Sequence, residues 1–251
     1  MPGILHARAA EASFRYREVP PAPALAPFVA HHWIITWDLR GREPHTQHVL
    51  PYPSVNVTFT AGRCRVAGVP RGRFAETLSG AGRVVGVRFR PGGFRPVLGA
   101  PVAGITDRFV PVEDVFGAGL ADAVLGADDA GAVTALEAAL GERLAGAAPS
   151  PATAVAEQVA ADPAVTRADA LAAAHGLSLR ALQRLFHDHV GVGPKWVIRR
   201  YRLHEAAAAA AGGGLDLPAL AAALGYADQA HLTRDFTAIV GVPPARYARE
   251  Q

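Results

Sequence analysis

Arg180, Gln183 and Arg184 stand at i, i+3 and i+4, so a helix would carry them on one stripe. An arginine fork fits guanine O6 and N7, and a glutamine amide pairs with adenine. Any solvated helix face shows such residues, so their types alone decide nothing. The chain, however, repeats the pattern. Leu182-x-Arg184-x-Phe186-x-x-x-Val190-Gly191-Val192-x-Pro194 recurs, shifted by 50 residues, as Leu232-x-Arg234-x-Phe236-x-x-x-Val240-Gly241-Val242-x-Pro244. Upstream, Ala170-Leu171-Ala172-Ala173-Ala174-x-Gly176 recurs, shifted by 49, as Ala219-Leu220-Ala221-Ala222-Ala223-x-Gly225. The change in offset falls in the turn, where an insertion is tolerated best. In the copy Gln229, Ala230, Thr233, Arg234 and Thr237 face outward, and Ala or Thr can touch a thymine methyl. Leu182, Leu185, Phe186 and Val190 fall on the inward face of the first unit. Leu232, Phe236, Ile239 and Val240 do so in the second.

The elements that must position these residues are legible. Each copy reads as helix, glycine turn, helix, the order of a helix-turn-helix whose second helix enters a major groove. Seven helical segments are predicted. The first runs from Ala152 to Ala161, before Asp162-Pro163. Thr166-x-x-Asp169 resembles a capping box for a helix through Ala174. Ser178 is placed to cap a helix through His189, and Pro194 starts a longer one to about Ala211. Gly212-Gly213-Gly214 break that helix. Asp216 and Asp228 cap the next two, and Pro243-Pro244 begin a short last one.

The first half reads differently. Val29, His31, Trp33, Ile35, Trp37 and Leu39 alternate with smaller or more polar neighbours. So do Val55, Val57 and Phe59, and again Val85, Val87 and Phe89 before Pro91-Gly92-Gly93. Short strands at this spacing predict a small barrel or sandwich. From about Glu113 the period becomes helical, with an apolar stripe Val133, Leu136, Leu140 and Leu144 able to pair two chains or to pack on its own barrel. Gly146-Ala147-Ala148-Pro149-Ser150-Pro151 is the best break. The expected division is 1–146, a linker 147–151, and 152–251. The fold class is α+β.

Half the residues are apolar, so both parts have material for a core. The net charge of +3 is small, but its placement is not even. Arg180, Arg184, Lys195, Arg199, Arg200 and Arg202 face a single acid, Asp188, in that stretch. Ser178, Lys195, Arg199 and Arg200 are the phosphate-contact candidates. One cysteine, Cys64, excludes an intramolecular disulfide, and a small buried residue is its favoured reading. No stretch resembles a signal peptide or reaches the roughly 18–20 apolar residues of a membrane span, so a cytoplasmic protein is expected. His45-x-x-His48, with His31, offers imidazoles to a metal, but the His-x-His pair with a following glutamate is missing and no metal is expected. No phosphate loop or Gly-x-Ser-x-Gly occurs, and no catalytic residue is assigned. Trp33, Trp37, Tyr52, Phe59 and Arg88 are the candidates for an effector pocket, with Arg88 or Arg90 to hold an anionic group.

These residues carry a family resemblance. Leu182-Gln183-Arg184-Leu185-Phe186, Gly193-Pro194, Arg202-Leu203-x-x-Ala206, Leu220-Ala221-x-x-Leu224-Gly225-Tyr226 and Phe236 followed by Gly241-Val242-Pro243-Pro244-x-x-Tyr247 resemble the DNA-binding domain of AraC/XylS-type bacterial transcription regulators. The resemblance covers about a third of the chain. It implies two helix-turn-helix units joined by a long helix, with recognition helices in successive major grooves. By position it implies base contacts from Arg180, Gln183 and Arg184, and from Gln229, Ala230, Thr233 and Arg234. Asp228 and Asp235 flank the second reader, a departure that makes the first unit the expected source of affinity. His48-Val49-Leu50-Pro51, Gly86-Val87-Arg88-Phe89-Arg90-Pro91-Gly92-Gly93 and Ile105-Thr106-Asp107-Arg108 resemble an uncharacterised β-rich domain that often precedes such DNA-binding domains, implying a cupin-like barrel for sensing or dimerisation. The expected function is a sequence-specific DNA-binding transcription regulator without a cofactor. Its candidate partners are double-stranded promoter DNA, RNA polymerase, a small-molecule effector and a second copy, and not a membrane. The rivals are a cupin-type metalloenzyme fused to a DNA-binding domain and a non-specific architectural DNA-binding module.

Overall fold

A computed structural model describes residues 3–212 and 215–250. After a short helix α1 (Ala7–Glu11) come β1 (Arg15–Val19), β2 (Val29–Asp38), β3 (His45–Val49), β4 (Asn56–Thr60), β5 (Arg63–Ala67), β6 (Phe74–Leu78) and β7 (Ala81–Phe89). Next are α2 (Arg95–Leu98), a 3-10 turn (Val102–Ile105), β8 (Phe109–Pro111), α3 (Val112–Phe116), α4 (Leu120–Gly126) and α5 (Asp129–Leu144). The strands form an antiparallel sheet in the order β1-β2-β7-β4-β5-β8 and a separate ribbon β3-β6. Ribbon and sheet close round one cavity, tied by Arg63 and Arg65 of β5 to Glu76 of β6.

The period-two pattern sorts the large sheet into two faces. Val57, Phe59, Val85, Val87 and Phe89 are wholly buried in a cluster with Val124 of α4 and Leu136 and Leu140 of α5. Their neighbours in sequence, Asn56, Thr58 and Arg88, look into the cavity with Trp33 and Trp37. Phe59 therefore lies outside the effector pocket predicted for it. Strand alternation turns it to the helix-covered face, where it sits opposite Val85. The stripe on α5 is settled in the same way. Leu136, Leu140 and Leu144 are buried against the chain's own sheet, and Val133 packs beside them. Burial stabilises each leucine by roughly 1.5–3 kcal/mol, and the stripe is not available to pair two chains.

The remaining helices are α6 (Pro151–Ala161), α7 (Ala168–Ala174), α8 (Leu179–His189), α9 (Pro194–Ala211), α10 (Leu217–Ala223), α11 (Gln229–Val240) and α12 (Pro244–Arg249). Local chemistry sets their starts. Ser178, Asp216 and Asp228 each accept a backbone N–H three residues on, from Ala181 at 3.1 Å, Ala219 at 3.0 Å and His231 at 2.6 Å. Ser150 caps α6 from outside, with Pro151 in its first turn. The capping box at Thr166 does not form. Arg167 precedes α7 with no side-chain cap, and Asp169 instead binds Arg167 and the N–H of Ala170. Thr166 is held against the turn of the other unit, where a Cβ on Gly225 would come 2.4 Å from it. Of the three glycines beyond α9, Gly213 and Gly214 lie outside the described residues.

Two cores divide these helices. The first unit, with Leu171, Leu182, Phe186, Val190 and Val197, is continuous with the apolar core beneath the large sheet. The second, with Leu203, Ala206, Leu224, Leu232, Phe236, Val240 and Tyr247, also takes in Leu5 and Leu50. Helix α9 passes from one core to the other between Ile198 and Leu203. Polar contacts join the halves as well. Thr153 Oγ1 donates to Pro91 O at 2.8 Å, Arg95 Nε to Asp188 Oδ1 at 2.9 Å, and Thr106 Oγ1 to Gly191 O at 2.7 Å. Of residues 147–151, Ser150 is buried and Ala147 packs on the first core, while Ala148, Pro149 and Pro151 are exposed.

Candidate nucleic-acid interface and ligand cavity

In the first unit, α7 leads through Gly176, at φ 65°, into α8. The second unit turns in the same way at Gly225, at φ 73°, between α10 and α11. A side chain is strained in this left-handed region, which is why glycine stands at both turns. Leu182 and Phe186, and Leu232 and Phe236, are fully buried under their units. That leaves Arg180, Gln183 and Arg184 exposed together on α8. On α11 Gln229, Ala230 and Arg234 are exposed and Thr233 is half-buried. Thr237, expected to face outward, has a buried hydroxyl with no hydrogen-bond partner among the described residues. Sequence reasoning passed over one exposed residue. Leu179, the first residue of α8, is 39% exposed beside Arg180. Its signal was its place immediately after the cap, not the helical period.

The basic stretch separates into three roles. Arg180, Arg184 and Lys195 are exposed and have no ion pair among the described residues. Arg199 is exposed too, but its guanidinium pairs with Asp235 of α11 at 2.6 Å. Arg200, a phosphate-contact candidate, is buried. It donates to the carbonyl of Arg71 at 2.8 Å and lies 4.5 Å from the centre of the Trp196 ring. The helical period places it one residue round from Arg199, toward the core, and burial lowers its pKa to about 10. Arg202 is likewise inside, bonded to the carbonyl of Val159 and to Glu205. Ser178 is exposed with its hydroxyl engaged in the cap. Asp228 and Asp235, the acids flanking the second reader, serve as a cap and as the tie to α9.

The cavity between ribbon and sheet measures about 370 Å³. Trp33 and Trp37 of β2 face Gly86 and Gly82 of β7 across the ladder. A Cβ on Gly86 would come 2.3 Å from the Trp33 ring, and one on Gly82 would come 2.4 Å from the Trp37 ring. Glycine is thus what lets both indoles lie down on the sheet. Arg88 and Tyr52 also line the space, with the guanidinium 4.5 Å from the centre of the Tyr52 ring. The Tyr52 ring also stacks on His204 of α9 at 3.8 Å between centroids. Burial, then the Arg88 charge, lowers His31 to about 4. Burial lowers His204 to about 3. His32, on the other face, is buried with its Nε2 3.2 Å from Glu137. His45 meets Gln47, and no group of three or more metal-ligating side chains exists among the described residues. Cys64, expected to be buried, is half-buried at the edge of the core beside the carbonyl of Thr60, and burial raises its thiol pKa.

Known proteins bear on both halves. Residues 171–250 match a family described as a helix-turn-helix domain. The C-terminal third is an AraC-type helix-turn-helix domain. It is the kind carried by DNA-binding transcription regulators, and the exposed stripes of α8 and α11 lie within it. Residues 17–111 match a domain of unknown function, DUF6597. Among solved structures, ToxT from Vibrio cholerae O395 shares 11% identity and a TM-score of 0.42, covering 95% of this chain and 98% of that one. Another structure of ToxT from Vibrio cholerae, in a P21 form, gives 11% and 0.41, with the same coverage. No curated protein matches the sequence. Among the described residues no helix is long and apolar enough to cross a membrane.

Proposed function

We propose that this chain is a cytoplasmic, sequence-specific transcription regulator that places α8 and α11 in successive major grooves of promoter DNA. The observation that carries this reading is the repeated stripe, exposed at Arg180, Gln183 and Arg184 on α8 and at Gln229, Ala230 and Arg234 on α11 with half-buried Thr233 among them, each set over its own buried Leu and Phe. Arginine reads guanine, glutamine reads adenine, and Ala230, Thr233 and Leu179 meet thymine methyls. The 18 residues of α9 span about 27 Å at 1.5 Å per residue, of the order of the roughly 34 Å DNA turn between grooves. Lys195, at the start of α9, supplies a phosphate contact. Ser178 is committed to its cap, and Arg199 serves only by exchanging Asp235 for phosphate.

Residues 1–146 form the sensor and 152–251 the reader in this account. A small effector occupies the cavity lined by Trp33, Trp37, Tyr52 and Arg88. Tyr52, which lines the cavity and stacks on His204 of α9, links effector to reader. No catalytic step is assigned. The test is selection from random duplex DNA by the full-length protein. One recovered consensus supports the reading, and equal recovery of all duplexes refutes it in favour of an architectural module.

A further inference from the structure

We propose that the cavity binds a small organic anion, a carboxylate on a flat apolar body, with Arg88 as its counter-charge. This rests on the reading of the cavity as an effector site. Three arginines line the space, Arg63, Arg65 and Arg88. Glu76 answers the first two, at 2.6 and 2.8 Å. The Arg88 side chain has no hydrogen bond or ion pair to any described residue, and its guanidinium lies over the Tyr52 ring. Glu18, on the strand beyond β2, makes no ion pair with Arg88. It accepts from the Tyr16 hydroxyl at 2.7 Å and lies 3.8 Å from His31 Nε2. His31, the residue paired with Arg88 across the ladder, is held neutral at neutral pH. Arg88 is thus a half-buried cation with no direct ion-pair partner among the described residues.

Removing a guanidinium from water is costly unless an anion meets it. The planar fork suits a carboxylate, which accepts two parallel N–H bonds. The rest of the wall selects the body. The Trp33 and Trp37 indoles lie flat across Gly86 and Gly82, offering an apolar surface for stacking. A volume of about 370 Å³ is at the small end of ligand pockets, with room for one or two rings.

The test compares 2-naphthoate with 2-naphthamide, the same body without the charge, by calorimetry and by the fluorescence of Trp33 and Trp37 in the full-length protein. The acid is expected to bind roughly tenfold or more tighter than the amide, as for a charge-assisted hydrogen bond. Arg88→Gln should remove that preference, and Arg88→Lys should restore part of it. Equal binding of acid and amide overturns the anion while leaving the effector site standing. Binding of neither overturns both. Undiminished binding of the acid by folded Arg88→Gln overturns the role of Arg88. Should Arg88→Gln not fold, the comparison of acid and amide on the unaltered protein decides alone.

Discussion

Arg199 and Arg200 are neighbours in sequence with opposite fates. One guanidinium is in solvent against Asp235, and the other is inside against Trp196 and the Arg71 carbonyl. Arg200→Ala should therefore lower stability by about 2 kcal/mol, through the lost charge-assisted bond and ring contact. Thermal melting measures this. The salt dependence of DNA binding should not change in the refolded variant, because Arg200 releases no counterion from phosphate. Arg184→Ala should do the reverse. Its melting temperature stays near the parent's, while affinity for the preferred duplex falls by roughly 1–3 kcal/mol and preference relaxes at one base pair. Gel shifts on a panel of single-base variants would show it. Unchanged affinity and preference would remove Arg184 from the reader.

At the scale of the element, Phe186 and Phe236 hold α8 and α11 over separate cores. Truncating either to Ala should cost roughly 3–5 kcal/mol, read as a fall in melting temperature. Helix α9 adds a pH dependence. The folded pKa of His204 is lowered to about 3, against about 6.5 in an unfolded chain. Below pH 6.5 the unfolded chain takes up a proton that the folded chain refuses. Stability is therefore full above 6.5 and falls on acidification, by up to about 1.4 kcal/mol per pH unit, until pH nears 3. His31, lowered to about 4, adds to the loss. His204→Phe keeps the ring against Tyr52 and should make melting temperature fall less steeply between pH 6.5 and 5, leaving the part due to His31. An unaltered profile would place the titration elsewhere. The helices were the legible part of the sequence, because caps and periods are local. Ser178, Asp216 and Asp228 announced their helices, and the repeat announced the faces of α8 and α11. The cavity was less legible. Phe59 and Arg88 were both expected in the pocket, because strand alternation within β4 and β7 does not say which face the helices cover. The pairing of Trp33 with Gly86 and Trp37 with Gly82 depends on register between strands some 50 residues apart, which no local signal carries. Arg200 failed for a related reason. A charged residue on a linking helix reads as solvated until the packing around it is known.

Across the whole molecule, the first helix-turn-helix unit shares its core with the sheet domain. A fragment of residues 152–251 bares part of that core to water. It should keep the site preference of the full chain but melt at a lower temperature, by calorimetry. A fragment as stable as the full chain would mean that the shared core contributes little. Whether the two stripes read DNA as a pair decides the proposed function most directly. Full-length protein should select from random duplexes a site with two specified patches about one helical turn apart, and Arg184→Ala and Arg234→Ala should each relax a different patch. Recovery of duplexes with no shared sequence, or both substitutions relaxing the same patch, would contradict it.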